Sequence, residues 1–169
     1  MGRGEPAKGK RLQMGDAEER REDGEDMRIE FSCTGIPQPK GSKKAFAYID
    51  KNTGKPKASV VDDNKKTLSV WKKDFTLQSN RHKPEKPLEG PIKVRLIFYM
   101  PRPKSAPKEK RPLPITRQAD TDKLTRTMLD LFSGGFYKDD SQVVDIMAYK
   151  RYADDREPGV EVRLEEISI

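Results

Sequence analysis

Between Ile92 and Met100 the chain reads IKVRLIFYM, with Ile92, Val94, Leu96, Phe98 and Met100 at alternate positions. A period of two marks a strand with one buried face. The same period returns more weakly in two other places, and a further strand is expected without it. Ile29, Phe31 and Cys33 alternate with charged or small polar residues over 28–34, a strand is predicted from Val143 to about Tyr152, and Val160, Val162 and Leu164 alternate with Glu161, Arg163 and Glu165. AFAYID and KASVVD flank KNTGKP, whose Asn, Gly and Pro are turn formers, so these two runs predict a β-hairpin.

Two stretches follow a helical period instead. From Asp62 to about Ser79, Leu68, Trp71, Phe75 and Gln78 recur at helical intervals, with Asp62 or Asp63 in place to cap the N-terminus. Leu124, Met128, Leu131 and Phe132 fall at i, i+4, i+7 and i+8, a short helix that Gly134 and Gly135 end. The order strand, hairpin, helix, strand, long loop, helix, strand, strand predicts an α+β fold: one domain with a mixed β-sheet and two main helices packed on it.

Composition changes this picture at the N-terminus. Residues 1–26 hold only Leu12 and two methionines as large apolar groups, with no aromatic, which predicts a disordered charged tail before a domain spanning 27–169. The whole chain carries a formal net charge of +7, and the domain without its tail has 29 Lys/Arg against 20 Asp/Glu, or +9. A basic domain of this kind attracts polyanions, nucleic acid first among them. No apolar run approaches the roughly 18–20 residues of a membrane span, and no signal-peptide core is evident. Both features predict a cytoplasmic protein with no membrane partner.

Cys33 is the only cysteine and His82 the only histidine, which excludes an intrachain disulfide and a multi-cysteine zinc site, and argues against a Cys/His nucleophile pair. Carboxylates are left to carry acid, base or metal chemistry. Two basic loops stand near them in the reading. GIPQPKGSKK contains Lys40, Lys43 and Lys44, and residues 101–118 hold five prolines and six Lys/Arg, among them Arg102, Lys104, Lys108, Lys110 and Arg111. The second loop is either a solvated linker or an arm that grips phosphates, and its length favours the arm.

The acid is concentrated in ADTDKLTRTMLDLFSGGFYKDDSQVVD, which holds Asp120, Asp122, Asp130, Asp139, Asp140 and Asp145. Asp120 and Asp122 sit two apart where an extended segment meets the helix, so both carboxylates point to one side. Asp139 and Asp140 lie past the helix at the mouth of the next strand, and a reversal there is expected to return them toward the first pair. Carboxylates brought together raise one another's pKa, and a divalent cation relieves the repulsion. Mg²⁺ suits such ligands and keeps waters that hydrolyse a phosphodiester, whereas helix caps, dipole partners and Asx turns account for the same residues without a metal. Both readings stand open on the spacing alone. An EF-hand loop is discounted because DTDKLTRTMLD lacks the third oxygen ligand and the central glycine. Asp130 and Asp145 read as structural or solvent-facing.

DTDKLTRTMLDLF, then SGG, then YKDDSQVVD resembles the pattern of the RusA-type Holliday-junction resolvases, in which D-x-D opens a helix and a glycine turn precedes D-D-x-Q-V. GIPQPKGSKK, YMPRPKS, Lys150, Tyr152 and PGVEV are similar to the family pattern more loosely, so the resemblance covers roughly 28–167. It implies a dimeric, Mg²⁺-dependent structure-selective endodeoxyribonuclease of bacteria and phages, with Mn²⁺ as a substitute metal. Four-way DNA junctions would be its substrate, cut by paired phosphodiester hydrolysis in recombination and repair. Asp120, Asp122 and Asp140 would be the metal ligands, with Asp139 beside them. Arg126 stands where the family carries a catalytic lysine, Ala119 where it has Pro, and Lys123 where it has Asn. Arg126 keeps the charge but does not readily exchange a proton. DNA contacts are expected from Lys40, Lys43, Lys44, Arg102, Lys104, Lys108, Lys110, Arg111, Lys123 and Lys150. The second reading is a catalytically silent protein that binds branched DNA.

Overall fold

The alternation of 92–100 sets the centre of the fold. In the computed structural model, which describes residues 27–41, 43–62, 64–105 and 119–167, β4 spans Ile92–Met100 and buries every apolar member of the repeat. β1 (Arg28–Thr34), β6 (Gly159–Glu166) and β5 (Val143–Tyr152) complete a four-stranded sheet in the order β1-β6-β4-β5. β6 runs antiparallel to both β1 and β4, while β4 and β5 are parallel, so the sheet is mixed. β2 (Lys43–Ile49) and β3 (Pro56–Asp62) form the hairpin as a separate two-stranded sheet. The expected tail lies outside the described residues, as does most of the second basic loop.

α1 (Lys65–Ser79) turns Leu68, Trp71 and Phe75 into the core. It starts later than the sequence reading: β3 runs on to Asp62, whose backbone pairs with Lys43, so the residue before the helix is Asn64 rather than Asp62 or Asp63. Asn64 makes no side-chain cap and instead donates through Nδ2 to the Pro39 carbonyl at 2.9 Å. Gln78 clasps the end of β1, accepting from the Thr34 backbone at 2.9 Å and donating to its carbonyl at 3.0 Å.

α2 (Thr121–Phe132) buries Leu124, Met128 and Phe132 against the same side of the sheet. Gly134, at φ +77°, then reverses the chain and sends Phe136 and Tyr137 back into the core. The rings form a continuous run, Phe31 to Phe136 at 5.3 Å, Phe136 to Phe132 at 5.5 Å and Phe132 to Phe75 at 6.0 Å. Offset and edge contacts of this kind stabilise beyond their buried area. At the other end of the sheet Gly159 passes so close to β1 that a Cβ would lie 2.3 Å from the Cys33 carbonyl oxygen. Burial pushes the Cys33 thiol up to about 12, which leaves it an inert core residue.

Candidate active site at the ends of α2

α2 is 12 residues long, and the predicted acidic ligands are divided between its two ends. Asp120 occupies the N-cap position with extended backbone, but its carboxylate makes no cap hydrogen bond. It pairs instead with Lys123 one turn on, at 2.8 Å. The hydrogen bond from Lys123 holds the Asp120 carboxyl below the ordinary range, with charge from Lys123 and Lys150 adding to it, and the carboxylate in turn raises the Lys123 ammonium. Asp122 is exposed in the first turn, where the positive end of the helix favours it. Lys150, arriving on β5, donates from Nζ to the Ala119 carbonyl at 2.9 Å and so fixes the approach to Asp120.

The far end is built differently. Asp139 caps the short 3-10 turn Asp140–Gln142, accepting from the Ser141 backbone at 2.9 Å. The Ser141 hydroxyl first, and that backbone N–H second, hold its carboxyl below the ordinary range. Gln142 completes a capping box. Its Oε1 accepts from the Lys138 and Asp139 backbones at 2.8 and 2.9 Å, and its Nε2 donates to the Leu88 and Gly90 carbonyls at 2.9 and 3.0 Å. Tyr137, fully buried, donates to the Leu129 carbonyl at 3.2 Å and faces Asp140 Oδ1 at 3.4 Å. Burial first, and the Asp140 charge second, push the Tyr137 phenol far above its ordinary value.

Tyr137 therefore ties Asp140 to the carbonyl of Leu129, near the end of α2 opposite to Asp120. The reversal after α2 feeds straight into β5 at the end of the sheet remote from Lys150. Among the described residues no three Asp, Glu, His or Cys side chains are grouped to hold a metal ion. One chain in this arrangement does not fit a three-carboxylate metal centre.

The remaining predicted residues separate into three groups. Lys108, Lys110 and Arg111 lie outside the described residues, and of Lys43 and Lys44 only the backbone, in β2, is described. Four cations are already engaged: Lys40 with Asp130 at 2.8 Å, Arg102 with Asp154 at 2.6 Å, Lys123 with Asp120, and Lys150 with Ala119. Lys40 also donates from its backbone to the Lys123 carbonyl at 3.3 Å, so it pins the β1–β2 loop along α2. Lys104 and Arg126 are exposed. Arg126 lies one turn after Asp122 on the same helix face, and among the described residues it has no hydrogen-bond or ion-pair partner. Sequence reasoning missed the roles of Tyr137 and Gln142. For Gln142 the one available signal was the D-D-x-Q spacing, which is also that of a capping box.

The fold is a mixed sheet with two helices on it, and the entry to α2 is acidic beside Lys123 and Lys150. The chain matches the family model for endodeoxyribonuclease RusA over residues 37–165 and belongs to that family of Holliday-junction-resolving endonucleases. It is also similar to a protein of Bacillus subtilis (strain 168) named as the uncharacterized protein YqaN, 32% identical over 129 residues that span 68% of this chain and 89% of that one. Among the described residues no helix is long and apolar enough to cross a membrane.

Proposed function

We propose that this chain is a Mg²⁺-dependent endonuclease that resolves four-way DNA junctions as a homodimer, in recombination and repair. The observation that carries this reading is the exposed Asp120–Asp122 pair, flanked by Lys123, Lys150 and the unpaired Arg126, within a chain of the RusA family. Lys123 is a cation that a DNA phosphate or a metal can displace from Asp120. Arg126 offers five donors in a fixed fork to a phosphate, and its permanent charge excludes it as the proton carrier. That same permanence favours the second reading, a protein that binds branched DNA without cutting it.

A two-fold dimer supplies what one chain lacks. With α2 of one copy antiparallel to its mate, the Asp140 end of each meets the Asp120 end of the other, and two equivalent sites face two strands of a junction. The test uses a labelled four-way junction with Mg²⁺ or Mn²⁺. Asp120→Asn and Asp140→Asn each abolish cleavage on their own. Mixed and re-annealed, they form heterodimers with one intact shared site and recover nicking. Sites contained within each chain would recover nothing. Binding without product under every metal condition would establish the silent reading instead.

A further inference from the structure

The face of the four-stranded sheet turned away from the helices is used by nothing above. It carries a groove of about 270 Å³ lined by Lys93, Arg95, Met147, Tyr149, Arg163 and Glu165. Among the described residues four arginines lie over tyrosine rings, and they divide cleanly by their second partner. Arg102 over Tyr152 at 4.3 Å is held by Asp154, and Arg156 over Tyr99 at 3.8 Å is held by Glu161. Arg95 and Arg151 share the ring of Tyr149, at 5.8 and 5.4 Å. Among the described residues neither has a carboxylate partner, and Arg151 donates only to the Lys150 carbonyl at 2.8 Å.

The carboxylates of this face are taken elsewhere. Glu30 pairs with Arg28 and Arg163, Glu165 with Arg28 at 3.7 Å and Arg163 at 4.0 Å, and Asp145 with Lys93 at 3.8 Å. Two guanidinium groups are thus left uncompensated, each oriented by one half-exposed ring. A protein surface seated here would have to desolvate both charges, which is costly without acidic partners. A phosphate backbone satisfies them directly.

β5 is an edge strand of the sheet, and it connects this groove to the acidic end of α2. Its alternate residues point to opposite faces. Lys150 faces α2 and holds the carbonyl next to Asp120, while Tyr149 and Arg151, one residue to either side, face the groove. A strand leaving the Asp120 end crosses one strand's width to reach them.

We infer that Arg95 and Arg151, held on Tyr149, form a DNA-backbone contact on the open face of the sheet, separate from the acidic ends of α2. The inference rests on the DNA-acting reading, and its test separates the two. Equilibrium binding of a fluorescent four-way junction is measured in chelator across a salt series. Arg95→Gln and Arg151→Gln each lower the slope of log K against log salt by about 0.9. Arg156→Gln, on the same face but paired with Glu161, leaves it unchanged. Tyr149→Phe binds as the parent does, and Tyr149→Ala behaves like an arginine variant, with melting curves confirming that each variant is folded. In an Asp120→Asn background, which loses cleavage, each arginine variant still lowers the slope by about 0.9 relative to Asp120→Asn alone, so failure of the nuclease reading leaves this contact standing. A parental slope in both arginine variants overturns the inference, as does an equal drop in Arg156→Gln. Loss of the dimer in sedimentation of the Arg95→Gln, Arg151→Gln double variant overturns it too, since the face would then join two copies.

Discussion

At the N-terminal end of α2, Asp120 and Asp122 stand exposed beside Lys123 and Lys150, whereas beyond the C-terminal end Asp139 and Asp140 are bound into the turn that starts β5. The first pair is stabilised by side chains that a ligand can displace. In the second, the Ser141 hydroxyl and backbone N–H fix Asp139 in the turn, while the exposed Asp140 is held among the described residues only by the buried Tyr137 phenol, at 3.4 Å on one oxygen. One residue type thus serves two purposes, and the difference is one of partner. Mobile cations leave a carboxylate available, while fixed backbone donors commit it to the fold.

The largest effect tests the available end. Lys150→Met removes the hydrogen bond that holds Ala119, so Asp120 loses its fixed position but not its charge. Junction cleavage is expected to fall about 10- to 100-fold, since a displacement of about 1 Å costs on that order. Lys150→Arg, which restores a donor, recovers part of it. The salt slope of junction binding is expected to stay constant across both variants. A slope lowered by the methionine variant would make Lys150 a phosphate contact, and the positioning role would fall.

The committed end is broken through Gln142, not through an aspartate. Its amide uses all four of its hydrogen-bonding positions, two toward the Asp139 turn and two toward the loop before β4. Gln142→Leu leaves two carbonyls and two backbone N–H groups without it, and a loss of about 2–4 kcal/mol is expected in urea denaturation. Gln142→Glu keeps the acceptor side and loses the donor side, so its loss should be smaller. Equal stability of the leucine variant and the parent would mean that the turn is held by other contacts.

Periodicity reached most of the fold and stopped where partners are distant in sequence. β4 lies where the sequence predicts because one-sided burial imposes a period of two, and α2 does because its stripe is strict, whereas the exposure of β5 follows no such alternation. Phe136 and Tyr137 escaped because two core residues after a glycine turn make no period at all. The pairing of the basic residues was hidden in a different way. Lys40 meets Asp130, and Arg102 meets Asp154, across 90 and 52 residues of sequence, and no local pattern reports such pairing. The acidic site was legible as a set of residue types, but its division was not. Whether the chain returns toward Asp120 after α2 is decided by Tyr137 binding the Leu129 carbonyl, a contact made only in the folded chain.

The smallest effect separates the two ends by the origin of their low carboxyl pKa values. A carboxylate whose pKa is lower folded than unfolded contributes stability that is present above about pH 4 and lost as pH falls through the folded value. Asp120 and Asp139 both qualify, the first through the Lys123 side chain and the second through hydrogen bonds from Ser141. Asp120→Asn and Asp139→Asn should each therefore flatten the acid limb of the stability curve below about pH 4, and asparagine at 139 still accepts from the Ser141 backbone, which isolates the charge. Salt then tells them apart. At about 1 M the screening length shrinks to about 3 Å, so the exposed Asp120–Lys123 contribution is expected to fade and the Asp120→Asn curve to converge on the parent. The Asp139→Asn difference is expected to persist, because the Ser141 hydroxyl and backbone N–H are neutral donors at contact distance and salt does not screen them away. Convergence of both curves at high salt would show that the two ends hold their aspartates in the same way.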